Sequence, residues 1–309
     1  MNQPLLNHAT QTMAAGSKSF ATASKLFDPA TRRSALMLYA WCRHCDDVTD
    51  GQTLGFAAAD VADAPTAEAR LAMLQSETRR AYAGEPMADP AFAAFQEVAL
   101  AHAIPQRQAF DHLEGFAMDV RGEAYETLED TLRYCYHVAG VVGLMMARVM
   151  GVRDESVLDR ACDLGLAFQL TNIARDIVED AQVGRCYLPT RWLRDAGLTR
   201  DNFADPAHRA ALAQLATRLV TEAEPYYDSA RAGLADLPLR SAWAIATARG
   251  VYREIGIKVK NAREAAWNQR QGTSRLEKLT LLVSGAGLAL SSRAASPTSR
   301  PANLWQRPR

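Results

Sequence analysis

The chain has 309 residues, 48% of them hydrophobic and 23% charged, with 35 basic against 35 acidic side chains. That is ample core material for a large globular domain, and it excludes a disordered chain. Zero formal net charge, with no basic run in the body of the chain, leaves no footprint for nucleic acid. Five cysteines, an odd number spread through a long chain, do not make a disulfide framework. The expected partners are small molecules and the expected compartment is a reducing cytoplasm.

The opening Met1-Asn2-Gln3-Pro4-Leu5-Leu6 lacks the basic region and apolar core of a secretory signal. From there apolar residues recur at helical spacing almost throughout, as at Ala35, Leu36, Leu38, Tyr39 and Trp41, while alternating β-branched runs are missing. The predicted fold is all-α. Breaks fall at Asp50-Gly51, at Ala64-Pro65, from Gly84 to Pro90, from Gly184 to Pro189 and from Asp236 to Pro238. Two helices between them are long enough to cross a core. The first runs from Glu129 to Met150, and the second from Glu155 to Gln182 with apolar residues at Leu158, Ala161, Leu164, Leu166, Leu170, Ile173 and Ile177. Thr280 to Leu290 is the longest weakly apolar stretch, but it contains two glycines and a serine and falls short of the roughly 20 residues that span a bilayer. Residues 14–290 therefore read as one domain, preceded by a flexible N-terminus over 1–13. After Ser291 the composition turns to Ser, Pro, Arg and Ala, which predicts a disordered tail over 291–309. Arg293, Arg300, Arg307 and Arg309 give that tail a positive bias suited to weak contact with anionic lipid.

Two carboxylate clusters carry the chemistry. Asp46 and Asp50 are four residues apart at the end of an apolar run, hence on one helical face about 5–6 Å from each other. Asn172, Asp176 and Asp180 repeat the same step downstream. A solvated acidic face would show this spacing too, but both clusters continue apolar stripes, so they emerge from the core, where unpaired charge is costly without a cation. Hard oxygen ligands of this kind suit Mg²⁺ shared with substrate phosphate oxygens, with Mn²⁺ as the alternative. Two facing clusters would form a clamp for a diphosphate.

The run Ser17-Lys18-Ser19-Phe20, followed by Tyr39-Ala40-Trp41-Cys42-Arg43-His44-Cys45-Asp46-Asp47-Val48-Thr49-Asp50, resembles the head-to-head prenyl synthases of the squalene/phytoene synthase family. Glu114 to Asp119, Tyr134 to Gly143, and Leu166 through Asp180 follow in the family's order, so the resemblance spans about residues 14 to 280. Gly184-Arg185-Cys186-Tyr187-Leu188-Pro189 looks like the phytoene-synthase branch. The resemblance implies a single-domain isoprenoid synthase fold, with Asp46 and Asp50 on one metal set and Asn172, Asp176 and Asp180 on the other. It implies that Arg43, Tyr252 and Arg270 hold diphosphate oxygens, as an Arg fork does well. Arg270 is followed by Gln271-Gly272-Thr273, which departs from the family's apolar continuation. Gln169 and Tyr187 fall on active-site positions, Ser17 and Ser19 on candidate diphosphate hydrogen-bonders, and Phe20, Tyr39 and Asp119 beside the substrate. Asp47 points a helical step away from its neighbours.

The implied activity is prenyl transfer: two geranylgeranyl diphosphates are joined through a cyclopropylcarbinyl diphosphate into phytoene, the first committed step of carotenoid biosynthesis. Phe20, Phe116, Tyr134 and Tyr136 are candidates to face the carbocations, and ordinary packing would use the same residues. If Phe20 faces the pocket, Ser24 lies one turn on with Ala21 and Ala23 nearby, and such small side chains leave depth for a twenty-carbon rather than a fifteen-carbon chain. Gly140 and Gly143 would thin a helix wall or allow close helix packing. The alternatives are a dehydrosqualene or squalene synthase using farnesyl diphosphate, a one-substrate terpene cyclase, and a helical scaffold with solvated acidic faces. Gly285-Ala286-Gly287 lacks the third glycine and preceding strand of a dinucleotide turn, so no nicotinamide is expected. Cys42-x-x-Cys45 has no second pair to complete a zinc site, and no two histidines share metal-ligand spacing.

Overall fold

The structure, a computed structural model, describes residues 3–16, 18–53, 56–57, 65–296 and 298–309, with the side chains of 18, 19, 52, 53, 56 and 57 outside that description. The described residues form thirteen α-helices, as the periodicity predicts. The one addition is a two-residue antiparallel pair, Gln52–Thr53 with Phe56–Ala57.

Helix punctuation sets the architecture. After α1 (Gln3–Gly16) and α2 (Lys18–Ser24), α3 (Pro29–Asp50) begins at Asp28, whose side chain accepts hydrogen bonds from the Ala30 and Thr31 amides. It stops at Gly51, whose φ of +63° is a left-handed cap that costs glycine nothing. The helices α4 (Ala67–Tyr82), α5 (Pro90–Ala101) and α6 (Gln106–Val120) pack with α1 and α3 around Trp41, which stacks on Phe95 at 3.9 Å. The second core surrounds α9 (Glu155–Gln182), whose bounds are those the sequence predicts. Capped by Asp154, it runs 28 residues, about 42 Å. Its apolar positions, among them Leu166, Leu170 and Ile173, are buried with Leu219 and Val220 of α11 (Arg209–Ala232). Each such side chain contributes roughly 1.5–3 kcal/mol by leaving water. The short α10 (Thr190–Asp195), α12 (Leu239–Ala262) and α13 (Arg275–Ser291) complete the chain.

The expected helix from Glu129 to Met150 is interrupted. It comprises α7 (Leu128–Cys135), a π turn over Tyr136–Gly140, and α8 (Val141–Val149). The π turn brings Val138 and Ala139 to the cavity wall. Here α8 and α9 cross with backbones in contact: a Cβ on Gly143 would stand 2.3 Å from the Ala161 carbonyl oxygen. Close packing is thus what Gly143 serves.

Gly285 lies inside α13 against Thr247, where a Cβ would come within 2.5 Å of Oγ1, so this segment is a packed helix and not a dinucleotide turn. Among the described residues no helix is long and apolar enough to cross a membrane. The end of the chain departs from the composition-based expectation. Instead of a disordered tail, residues 298–309 fold onto α9 and α11, burying Leu304 and pairing Arg300 with Asp163. Arg293 donates to the Ala235 and Leu237 carbonyls, while Arg307 and Arg309 pair with carboxylates of α9, so the tail's positive bias is consumed internally. Composition missed this because each arginine has a partner distant in sequence.

Candidate active site

Between the two cores lies a cavity of about 860 Å³, walled by α2, α3, α6, the π turn, α8, α9 and α12. One end is polar. Asp46 and Asp50 reach it from the last turns of α3, and Asn172, Asp176 and Asp180 reach it from the C-terminal half of α9. The other end is apolar, passing Phe20, Ala23, Ser24 and Phe27 on one side and Val142, Met146 and Leu164 on the other.

The polar end is crowded with carboxylates, and each answers the crowding differently. Partial desolvation at the cavity mouth, reinforced by Asp50 and Asp47 and opposed by Arg43, raises the Asp46 carboxyl to about 6, although its side chain keeps 43% of its surface exposed. Burial together with Asp176 pushes Asp180 up to about 7. Asp50 is held by both arms of Arg185, one at 3.1 Å, and Asp176 by Arg175 at 2.7 Å and by Arg270 at 3.0 and 3.3 Å. Arg43 bridges Asp46 at 3.0 Å and Asp47 at 2.7 Å. Asp47 itself is buried and absent from the cavity lining, as its helical direction foretells. Asp119 accepts hydrogen bonds from Tyr187 Oη at 2.9 Å and Tyr134 Oη at 3.1 Å, and burial raises its carboxyl to about 6. The two tyrosine rings stack at 4.4 Å.

Among the described residues no three carboxylates are gathered as a ready metal site, yet the donor set, hard oxygens alone, is of the kind that suits a divalent cation. Asn172 donates from Nδ2 to Gln169 at 3.3 Å, but its Oδ1 is buried with no hydrogen-bond partner. An open buried acceptor on the same helical stripe as Asp176 and Asp180 suits an oxygen-ligated metal.

An aromatic wall adjoins the polar end. Phe168 stacks on Tyr252 at 4.2 Å, and Phe20 lies 5.6 Å from Tyr252 and 6.4 Å from Tyr39. Burial raises the Tyr39 phenol to about 12, so it stays protonated. Phe116 and Tyr134 line the cavity, whereas Tyr136 does not. Its hydroxyl donates to Asp111 at 2.7 Å, because Tyr136 lies two residues, about 200° of helix, beyond the cavity-facing Tyr134. Ser17 and the side chain of Ser19 lie outside the described residues. Cys42 and Cys45 are thiols raised by burial and show no reactive character. Arg175, Arg185 and Phe168 join the site without a role that the motifs by themselves imply. Arg175 and Phe168 sit within the second motif and Arg185 five residues beyond Asp180, which is the signal that was there to find.

An all-helical body with facing carboxylate clusters at the mouth of an apolar cavity defines the class I isoprenoid synthase fold. Among solved structures the chain is similar to a dehydrosqualene synthase in complex with ligand, with a TM-score of 0.82 and 27% identity, covering 94% of this chain and 98% of that one. The squalene/phytoene synthase family model matches residues 13–279, and the chain belongs to that family of prenyltransferases. It is 69% identical to a 15-cis-phytoene synthase of Pantoea ananas over 100% of both chains. It is 67% identical to a phytoene synthase of Pseudescherichia vulneris, covering 99% of this chain and 98% of that one.

Proposed function

We propose that this chain condenses two geranylgeranyl diphosphates head to head, through prephytoene diphosphate, into 15-cis-phytoene with release of two diphosphates. The observation that carries it is an apolar cavity of about 860 Å³, narrowed by no large side chain at Ser24, opening onto two facing carboxylate clusters. Identity of 69% over the whole chain to a 15-cis-phytoene synthase supports the same reading.

Asp46 and Asp50 on one side and Asn172, Asp176 and Asp180 on the other would hold Mg²⁺, which when bound neutralises diphosphate charge and so eases its departure. Arg43, Arg175, Arg185 and Arg270 are the guanidiniums that line this end and would meet diphosphate oxygens; all four are now paired with carboxylates, Arg43 with Asp46 and Asp47 and the others with Asp176 and Asp50. Tyr252 adds a hydroxyl beside them. Loss of diphosphate from the donor leaves an allylic cation, whose carbon one bonds to the acceptor double bond nearest its own diphosphate. Proton loss closes the cyclopropane. A second ionisation opens that ring, and proton loss, with no hydride donor, leaves a central triene. Phe20, Phe168 and Tyr252 line the cavity as an aromatic cluster that would stabilise nearby positive charge, and the apolar walls would exclude water that quenches it. Tyr187 and Tyr134 each donate from Oη to Asp119, which fixes that carboxyl group in the cavity wall.

The test is incubation of purified protein with geranylgeranyl or farnesyl diphosphate, with and without Mg²⁺ and without nicotinamide, and mass analysis of the extract. A forty-carbon triene formed from the longer substrate only with metal supports the reading. A thirty-carbon product from farnesyl diphosphate alone would favour the dehydrosqualene synthase activity of the structural neighbour.

A further inference from the structure

The end of the cavity farthest from the carboxylates is built from the first half of α9 and the end of α11, and the last residues of the chain lie over it. Arg160 lines this end. Its stem lies along Gly233, where a Cβ would come within 3.2 Å, its Nη1 donates to the Ser229 carbonyl at 3.0 Å, and its Nη2 donates to the Thr298 carbonyl. One turn on, Asp163 is fully buried. It accepts from Ser229 Oγ at 2.5 Å and from both arms of Arg300 at 2.7 and 2.8 Å. Arg300 also donates to the Trp305 carbonyl at 2.7 Å, folding the tail so that the Trp305 amide donates to Tyr226 Oη at 3.2 Å and Leu304 enters the core.

Farther out, Arg307 and Arg309 reach Asp159 at 2.7 and 2.9 Å. Glu155, Asp159 and Asp163 are four apart, so α9 carries a second acidic stripe, and this one is matched by arginines of the chain's own end. A wholly buried carboxylate is costly unless it is paired and hydrogen-bonded, so Asp163 depends on Arg300.

Sixteen residues of α9 separate Arg160 from Asp176, about 24 Å of helix. A prenyl chain whose diphosphate sat at the carboxylates and that followed α9 would end against a guanidinium held between two carbonyls.

We propose that residues 298–309 form a strap that fixes the floor of the substrate cavity and so sets the upper limit on prenyl chain length, with Arg160 as the floor and Arg300 as its positioning residue. The proposal rests on the reading of this cavity as a prenyl-chain site. Releasing Arg300 strands Asp163 and frees Thr298, so Arg160 loses an acceptor and can yield to one more isoprene unit.

Full-length wild type, Arg300→Gln, Arg300→Lys and Arg160→Leu are given geranylgeranyl diphosphate and the twenty-five-carbon geranylfarnesyl diphosphate in competition with Mg²⁺. Products are sorted by carbon number, and fold is checked by circular dichroism. In Arg300→Gln and Arg160→Leu, incorporation of the longer chain relative to the shorter rises about tenfold, while Arg300→Lys stays near wild type. Equal loss with both substrates at an unchanged ratio overturns the strap. Should Arg300→Gln fail to fold, Arg160→Leu decides alone, since it leaves every tail ion pair in place. Wild type yielding no hydrocarbon from either substrate defeats the underlying reading of the cavity and the strap with it, and that result is distinct from an unchanged ratio.

Discussion

Asp180→Asn separates what the candidate site needs from what the fold would prefer. Burial and the neighbouring Asp176 and Asp119 raise the Asp180 carboxyl from 3.8 to about 7. The folded value is the higher one, so the folded protein binds this proton more tightly than the unfolded chain. The penalty for ionising it is therefore absent below about pH 4, grows between about pH 4 and 7, and is complete above. At about 1.36 kcal/mol per pH unit, holding Asp180 ionised at pH 8 costs the metal-free fold about 4 kcal/mol. An asparagine carries no charge but leaves an amide with imperfect partners, a loss of roughly 1–2 kcal/mol. The net gain of about 2 kcal/mol raises the Tm by about 3 °C in a chain of this length, from ~2.1 cal/mol/K per residue. Melts in EDTA at pH 5 and pH 8 measure it: the variant exceeds wild type at pH 8 and converges with it at pH 5. Added Mg²⁺ then raises the Tm of wild type more than that of the variant, whose turnover falls at least about 100-fold through lost cation affinity. A variant no more stable than wild type at pH 8, or equally stabilised at pH 5, would falsify this account of the carboxylate cluster.

Ser24→Phe fills the cavity beside Phe20 and Phe27, and should shift kcat/KM at least about tenfold toward farnesyl over geranylgeranyl diphosphate; unchanged selectivity in competition removes Ser24 as a depth determinant. Wild-type kcat/KM should fall on an acid limb between about pH 7 and 6, as Asp180 and Asp46 take up protons and cease to bind cations. Raising Mg²⁺ moves that limb to lower pH, and a limb indifferent to Mg²⁺ assigns it to other groups. Gly143→Ala drives a methyl to 2.3 Å from the Ala161 carbonyl and should destabilise by about 1–3 kcal/mol, seen as a lower Tm; a neutral result means that α8 and α9 can part without loss.

Much of this protein is written in local spacing. A helix repeats every 3.6 residues whatever surrounds it, so apolar periodicity marks α9 from Glu155 to Gln182, and the four-residue steps at Asp46/Asp50 and Asn172/Asp176/Asp180 put those oxygens on shared faces before any tertiary contact is known. Gly51 and Gly184 stop helices for equally local reasons, since both adopt positive φ. What the sequence leaves open are pairings between segments far apart in the chain. Arg185 meets Asp50 across 135 positions and Arg300 meets Asp163 across 137, and no period links such residues. For the same reason composition reads the last residues as disordered, although their arginines find carboxylates on α9. Tyr136 is a candidate that helical spacing itself argues against: two residues beyond the cavity-lining Tyr134, it lies about 200° around the helix and gives its hydroxyl to Asp111 instead. Local chemistry determined which oxygens stand together, and tertiary packing decided which cations stand opposite them and where the cavity ends, because only packing brings distant segments into one low-dielectric space.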